Sequence, residues 1–204
     1  MTPLLAAQSV ALLRGDRLLF RDLSFALAPG DALCIEGANG SGKTSLLRVL
    51  AGLLEADEGD VRWQGTPISS LRQEYCSELV WLGHLGGAKR DLTLEENLQF
   101  ECALRPRNDT GLSSVIERVG LKDLTRLPLR ALSAGQQRRV ALARLLLSAA
   151  RLWLLDEPFT NLDRHGQTLV GELLREHLSA GGIAVMATHK SAGPDLLSQR
   201  LVLQ

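Results

Sequence analysis

The chain has 204 residues, 45% of them apolar and 23% charged, which is the balance of a folded chain with one substantial core rather than a disordered one. Lys plus Arg and Asp plus Glu each total 23, so no global positive field exists to recruit nucleic acid or anionic lipid. No stretch reaches the ~18 consecutive apolar residues of a membrane span, and the first residues show no basic run leading into an apolar one, so neither a span nor a secretory signal is expected.

Leu4–Val10 and Leu18–Leu27 read as strands around an Arg14-Gly15-Asp16 turn, and Pro29-Gly30-Asp31 reads as a second turn. Ala32–Glu36 is a short strand that delivers the chain into Gly37-Ala38-Asn39-Gly40-Ser41-Gly42-Lys43-Thr44. Leu46, Leu47, Val49, Leu50 and Leu53 follow at helical spacing, with Gly52 and Gly59 bracketing the helix end and the next turn. Leu79–Leu82 is a strand followed by a glycine-rich passage from Gly83 to Gly87. Thr93 and Glu96 have capping-box spacing at the head of a helix reaching about Leu104, and Leu112–Val119 is a short helix closed by Gly120.

Ser133, with Gln136 three residues on, begins a helix to about Ser148. Leu152–Leu155 is a continuously apolar strand ending in Asp156-Glu157-Pro158. A helix from Arg164 to about Leu178 stops near Gly181-Gly182, Ile183–Ala187 is a strand ending in Thr188-His189, and Leu201–Leu203 is a last strand. Apolar strands separated by helices predict an α/β fold with a mostly parallel sheet buried on both faces, in a single domain over 1–204. Cys34, Cys76 and Cys102 lie far apart without metal or redox spacing, so each is expected to be a buried or half-buried thiol of a reducing compartment.

The most specific chemistry lies in the glycine-rich loop. Glycines at 37, 40 and 42 let consecutive N–H groups face one centre, and the following helix adds its positive end. Lys43 can then reach β- and γ-phosphates, and the Thr44 hydroxyl suits magnesium. Asp156 ends an apolar strand at the carboxyl edge of the sheet, where it too can hold magnesium. Glu157 is placed to polarise a water for in-line attack. The stretch Leu132-Ser133-Ala134-Gly135-Gln136 offers a second anion-binding helix start, although capping alone accounts for Ser133 and Gln136.

Taken together these segments resemble the ATP-binding cassette ATPases, essentially end to end. Gly37–Thr44 is similar to the Walker A motif, Leu152–Glu157 to Walker B, and Leu132–Gln136 to the signature. Asn161-Leu162-Asp163 is similar to the D-loop and His189 to the switch histidine. The resemblance implies a P-loop NTPase fold with N-terminal antiparallel β strands and a small helical subdomain at about 92–132. It implies ATP and Mg2+ as ligands, bound by Gly37 to Thr44 with Ser45, Thr44 and Asp156 being the metal residues. Two copies would pack head to tail, so that Ser133, Ala134, Gly135 and Gln136 of one grip the γ-phosphate held by the other. Lys43, Glu157 and His189 take the catalytic roles, Glu157 as base, and Asp163 communicates across the interface.

Three departures narrow the resemblance. Ala134 replaces the usual first signature glycine, which is tolerable unless that position needs positive φ. His84, in Trp81-Leu82-Gly83-His84, stands where a glutamine is usual, and imidazole is a poor magnesium ligand beside oxygen. The usual adenine-stacking aromatic is absent, with Arg14 at about its place and Leu13 as the competing assignment. With Ile35-Glu36-Gly37 and Ser-Ala-Gly-Gln-Gln, these features resemble the haem-exporter ATPases of bacterial cytochrome c maturation. That implies multipass membrane partners at the cytoplasmic face of the inner membrane. No Cys-x-x-Cys-His motif occurs, so haem is expected on the partners rather than on this chain. An ATPase exporting lipid or drug, and a mechanical cassette protein of DNA repair or translation, are the alternatives.

Overall fold

The computed structural model describes residues 3–83, 87–104, 110–188 and 197–203. Among the described residues the strands form two sheets. The first is antiparallel: β1 (Leu5–Arg14) and β2 (Arg17–Leu27) make a hairpin around Gly15, and β1 also pairs with β4 (Glu58–Trp63), which carries β5 (Thr66–Pro67) at its edge. Strand β1 thus runs past Val10 to the turn. Gly59, expected in a turn, lies inside β4 with φ +78; a Cβ there would sit 2.3 Å from the Gln8 carbonyl oxygen and 2.4 Å from that of Ser9. The β1–β4 register slips between Gln8 and Ala11, so this glycine serves a bulge.

The second sheet has the order β6 (Leu79–Leu82), β7 (Leu152–Asp156), β8 (Ile183–Ala187), β3 (Ala32–Gly37), β9 (Gln199–Leu203), and every pairing in it is parallel. The alternation of side chains divides its residues between two cores. Leu152, Leu154, Ile183 and Val185 pack with the antiparallel sheet and with Leu46, Leu47 and Leu50 of α1 (Lys43–Leu50). Trp153, Leu155 and Met186 face the opposite way, toward α3 (Leu94–Leu104), α4 (Leu112–Arg118), α5 (Ala134–Leu147) and α6 (Arg164–Ser179).

Helix α1 stops at Leu50, so Leu53 lies beyond it and is 71% exposed. A further helix, α2 (Arg72–Glu78), has no clear sequence signal; its buried Tyr75 donates to the Leu50 carbonyl at 2.5 Å and ties it to the end of α1. The Thr93–Glu96 capping box forms at the head of α3, and Glu101 of α3 pairs with Arg144 of α5 at 2.5 Å. Cys34 is buried and Cys102 half-buried, but Cys76 is exposed on α2, against the expectation of a sheltered thiol. Among the described residues no helix is long and apolar enough to cross a membrane.

All five parallel strands present their carboxyl ends along one edge. The glycine-rich loop leaves β3 there and Asp156 closes β7 there, with β8 between them.

Candidate nucleotide site

The loop between β3 and α1 depends on its glycines at two points. Gly37 has φ +152, and a Cβ there would lie 2.5 Å from Ser41 Oγ and 2.6 Å from the Leu203 carbonyl oxygen. Gly42 caps α1 with φ +100 and packs against Leu19 and Phe20 of β2. The first turn of α1 carries no acidic residue, so its positive end is unopposed within the helix. Lys43 is buried and arches back over the loop, donating from Nζ to the carbonyls of Gly37 at 2.8 Å and Ala38 at 3.0 Å.

Thr44 Oγ1 donates to Asp156 Oδ2 at 2.9 Å, joining the start of α1 to the end of β7. A hydroxyl and a buried carboxylate oxygen in contact are a hard-oxygen pair that fits magnesium. Next to them Glu157 has φ +49 and donates its N–H to the Ala187 carbonyl at 2.8 Å, one step beyond the β7 strand. A non-glycine residue in that backbone region costs about 1–3 kcal/mol and persists only where its surroundings over-determine it.

Those surroundings include a residue that no local motif singles out. Arg138 of α5 is buried and reaches four carbonyls: Asp156 at 2.9 Å, Glu157 at 2.6 Å, Pro158 at 3.5 Å and Gly83 at 3.0 Å. Burial pulls its guanidinium below the ordinary value, against the opposing pull of the Asp156 and Glu157 charges. The available signal was periodic: Ala141, Leu142 and Leu145 stand three, four and seven residues after it and are all buried, so Arg138 lies on the apolar face of its helix.

A cavity of about 290 Å³ opens over the loop, lined by Asn39, Gly40, Gly42, Lys43, Thr44, Ser45, Asp156 and Glu157, with Arg14 and Leu19 also on its wall. Arg14, and not Leu13, borders it. Ser41 is buried beneath, beside Gly37.

Ser133 to Gln136 stand elsewhere. Ser133 caps α5, accepting from the Gln136 N–H at 3.2 Å while its own N–H donates to Gln136 Oε1 at 2.8 Å. Ala134 opens α5 without positive φ, so its methyl group is accommodated. A Cβ on Gly135 would come within 2.9 Å of the Asn161 carbonyl oxygen, so glycine here allows the 161–163 turn to approach the helix. Ser133 and Ala134 are exposed and do not border the loop cavity; Ala134 borders a second cavity of about 290 Å³ with Arg138, Asn161 and Glu157. Glu157 therefore faces both. Asp163 is engaged within its own chain, capping α6 through the Gly166 N–H at 2.8 Å and accepting from Arg139 at 2.9 Å, and the Gly166 bond holds its carboxyl below the usual range. His84 and His189 lie outside the described residues.

Residues 20–160 match the family model described as ABC transporter. The chain is 51% identical over 187 residues to the cytochrome c biogenesis ATP-binding export protein CcmA of Methylococcus capsulatus, covering 91% of this chain and 90% of that protein. It is 47% identical over 188 residues to the protein of the same name from Haemophilus influenzae, covering 91% and 89%. Among solved structures it resembles an ATP-binding subunit of an ABC transporter, with TM-score 0.88, 20% identity and coverage of 98% and 86%. It also resembles the dimeric, post-hydrolysis ATP-binding cassette MJ0796 bound to ADP and Pi, with TM-score 0.84, 20% identity and coverage of 98% and 94%.

Proposed function

The chain belongs to the ABC transporter family of ATP-binding cassettes, and from that premise we propose that it hydrolyses ATP to drive a membrane complex exporting or handling haem in c-type cytochrome biogenesis. The observation that carries the hydrolytic part is the contact of Thr44 with Asp156, flanked by Lys43 and Glu157 in one cavity. The observation that carries the cargo is the identity with export proteins of cytochrome c biogenesis along nine-tenths of the chain.

Lys43 exchanges the Gly37 and Ala38 carbonyls for β- and γ-phosphate oxygens, and the N–H groups of Ala38 to Ser45 cradle the phosphates. Thr44 and Asp156 hold Mg2+, which supplies neutralising charge when bound. Glu157 accepts the proton of the attacking water, a general-base contribution of typically 10²–10⁴-fold. Arg14 stacks its planar guanidinium on adenine. A second copy, packed head to tail, brings Ser133, Ala134, Gly135 and Gln136 to the exposed γ-phosphate, and this accounts for an anion-suited helix start away from the loop cavity. By the family resemblance, His189 would serve the γ-phosphate and His84 would act as a coupling residue.

The segment from about 92 to 132 transmits closure to multipass membrane subunits, with the chain seated at the cytoplasmic face of the inner membrane and haem held by those subunits. Affinity purification of the full chain from its membranes tests this. Membrane subunits that copurify with haem, seen by absorbance, are expected, together with ATP turnover that depends on them. Copurifying lipid with no haem and no haem-dependent turnover would overturn the cargo assignment.

A further inference from the structure

The backbone ladder between β6 and β7 ends at the pair Leu82–Leu155. Beyond it one side chain carries the connection forward. Arg138 Nη1 holds the Gly83 carbonyl at 3.0 Å, while Nη2 holds those of Asp156 at 2.9 Å and Glu157 at 2.6 Å and Nε that of Pro158 at 3.5 Å. A guanidinium is a rigid planar fork, so these carbonyls are fixed relative to one another and not merely each to solvent. Glu157 sits at φ +49, and its carbonyl takes the shortest of the four bonds.

We propose that Arg138 is a positioning residue for hydrolysis, fastening the turn that aims the Glu157 carboxylate and making that aim depend on where the chain after β6 holds Gly83. The proposal rests on the reading of Glu157 as base. Arg138 borders the second cavity and not the one over the phosphate loop, so it stands clear of the loop that binds nucleotide. Its contact with the Glu157 turn is therefore expected to tell mainly on turnover, with nucleotide affinity changed much less. At Gly83 a Cβ would lie 2.4 Å from Trp81 Nε1, so the indole covers the backbone that Arg138 grips.

The test uses the full chain isolated with its copurifying membrane subunits, carrying Arg138→Met, Arg138→Gln, Arg138→Lys or Glu157→Gln. Turnover is measured against ATP concentration, affinity with a fluorescent ATP analogue, and folding by thermal melting. Arg138→Met and Arg138→Gln are expected to lower kcat by about tenfold or more while the analogue's Kd stays within about threefold, the pattern of a lost orienting contact. Arg138→Lys is expected to recover part of the kcat, because a point charge reaches fewer of these carbonyls at once. A folded Arg138→Met with kcat within about twofold of the parent overturns the proposal, as do losses of kcat and affinity that track lost melting temperature. If Arg138→Met does not fold, Arg138→Lys decides, and full turnover from it overturns the proposal. Glu157→Gln separates the two layers. Turnover surviving there removes the base assignment and this proposal with it, whereas loss there alongside a fully active Arg138→Met removes the proposal alone.

Discussion

Thr44 and Asp156 are 112 residues apart in sequence and 2.9 Å apart in the structure, hydroxyl to carboxylate. The contact exists because β3 and β7 run parallel with only β8 between them, so that the element after one meets the last residue of the other. The same two oxygens are the metal residues of the proposed cycle. Thr44→Val and Asp156→Asn are each expected to weaken ATP binding at least tenfold in the presence of magnesium and far less with EDTA. Calorimetric titration with and without the metal checks this; equal losses in both conditions would assign the pair a packing role.

Lys43→Ala removes the bridge to the Gly37 and Ala38 carbonyls and, on the proposed reading, a phosphate ligand. Nucleotide affinity is expected to fall about a hundredfold, while the ligand-free protein loses only about 1–2 kcal/mol, the scale of charge-assisted hydrogen bonds to a loop. Binding and chemical unfolding measured side by side separate the two effects.

Two glycine-to-alanine changes are expected to have opposite signs. At Gly37 the new methyl meets Ser41 Oγ and the Leu203 carbonyl at φ +152, so Gly37→Ala destabilises by about 2–4 kcal/mol. Gly171 lies inside α6 with nothing within 4 Å of an added Cβ, so Gly171→Ala stabilises by about 0.5–1 kcal/mol. Urea unfolding of both variants checks the pair.

Stability also has an acid-sensitive component in His177. Its ring stacks on Trp153 at 4.0 Å, contacts the Ile183 carbonyl at 3.1 Å, and is pushed by burial from 6.5 down to about 4, against the pull of the Ile183 and Arg151 carbonyls. Between those values the unfolded chain binds the proton more readily than the folded one, so stability rises with pH there and falls on acidification from about 6.5 toward 4. The full loss is on the order of 3 kcal/mol. His177→Phe, which keeps the stacking, is expected to flatten this stretch of the profile of unfolding free energy against pH.

Much of the site was legible because its signals are local. Strand, glycine loop and helix follow in sequence around Lys43, the capping pairs Thr93–Glu96 and Ser133–Gln136 are three residues apart, and the apolar run Leu152–Leu155 ends directly on Asp156. What escaped depends on distant partners. Gly59 reads as a turn until the backbone of Gln8 and Ser9 is set against it. Helix α2 is short and anchored by a single buried tyrosine on the end of α1. Arg138 looks like one more polar residue in a capped helix until the parallel sheet brings Gly83 and Asp156–Pro158 to its guanidinium. The division of labour between Lys43 and Ser133 is implied by family resemblance alone; Lys43 borders the loop cavity and Ala134 borders the other.

The central claim, that each ATP site is made by two copies, has a direct test in mixed dimers. Chains carrying Lys43→Ala lack a working loop and chains carrying Ser133→Arg lack a working signature, so each alone is expected to be inactive. In a head-to-tail dimer of the two, the intact loop of one meets the intact signature of the other, and ATP turnover should reappear on mixing. A chain carrying both substitutions, mixed with the unsubstituted chain, should form mixed dimers without an intact site. Turnover that stays absent when the two singly substituted chains are mixed, despite demonstrated co-assembly, would contradict the account.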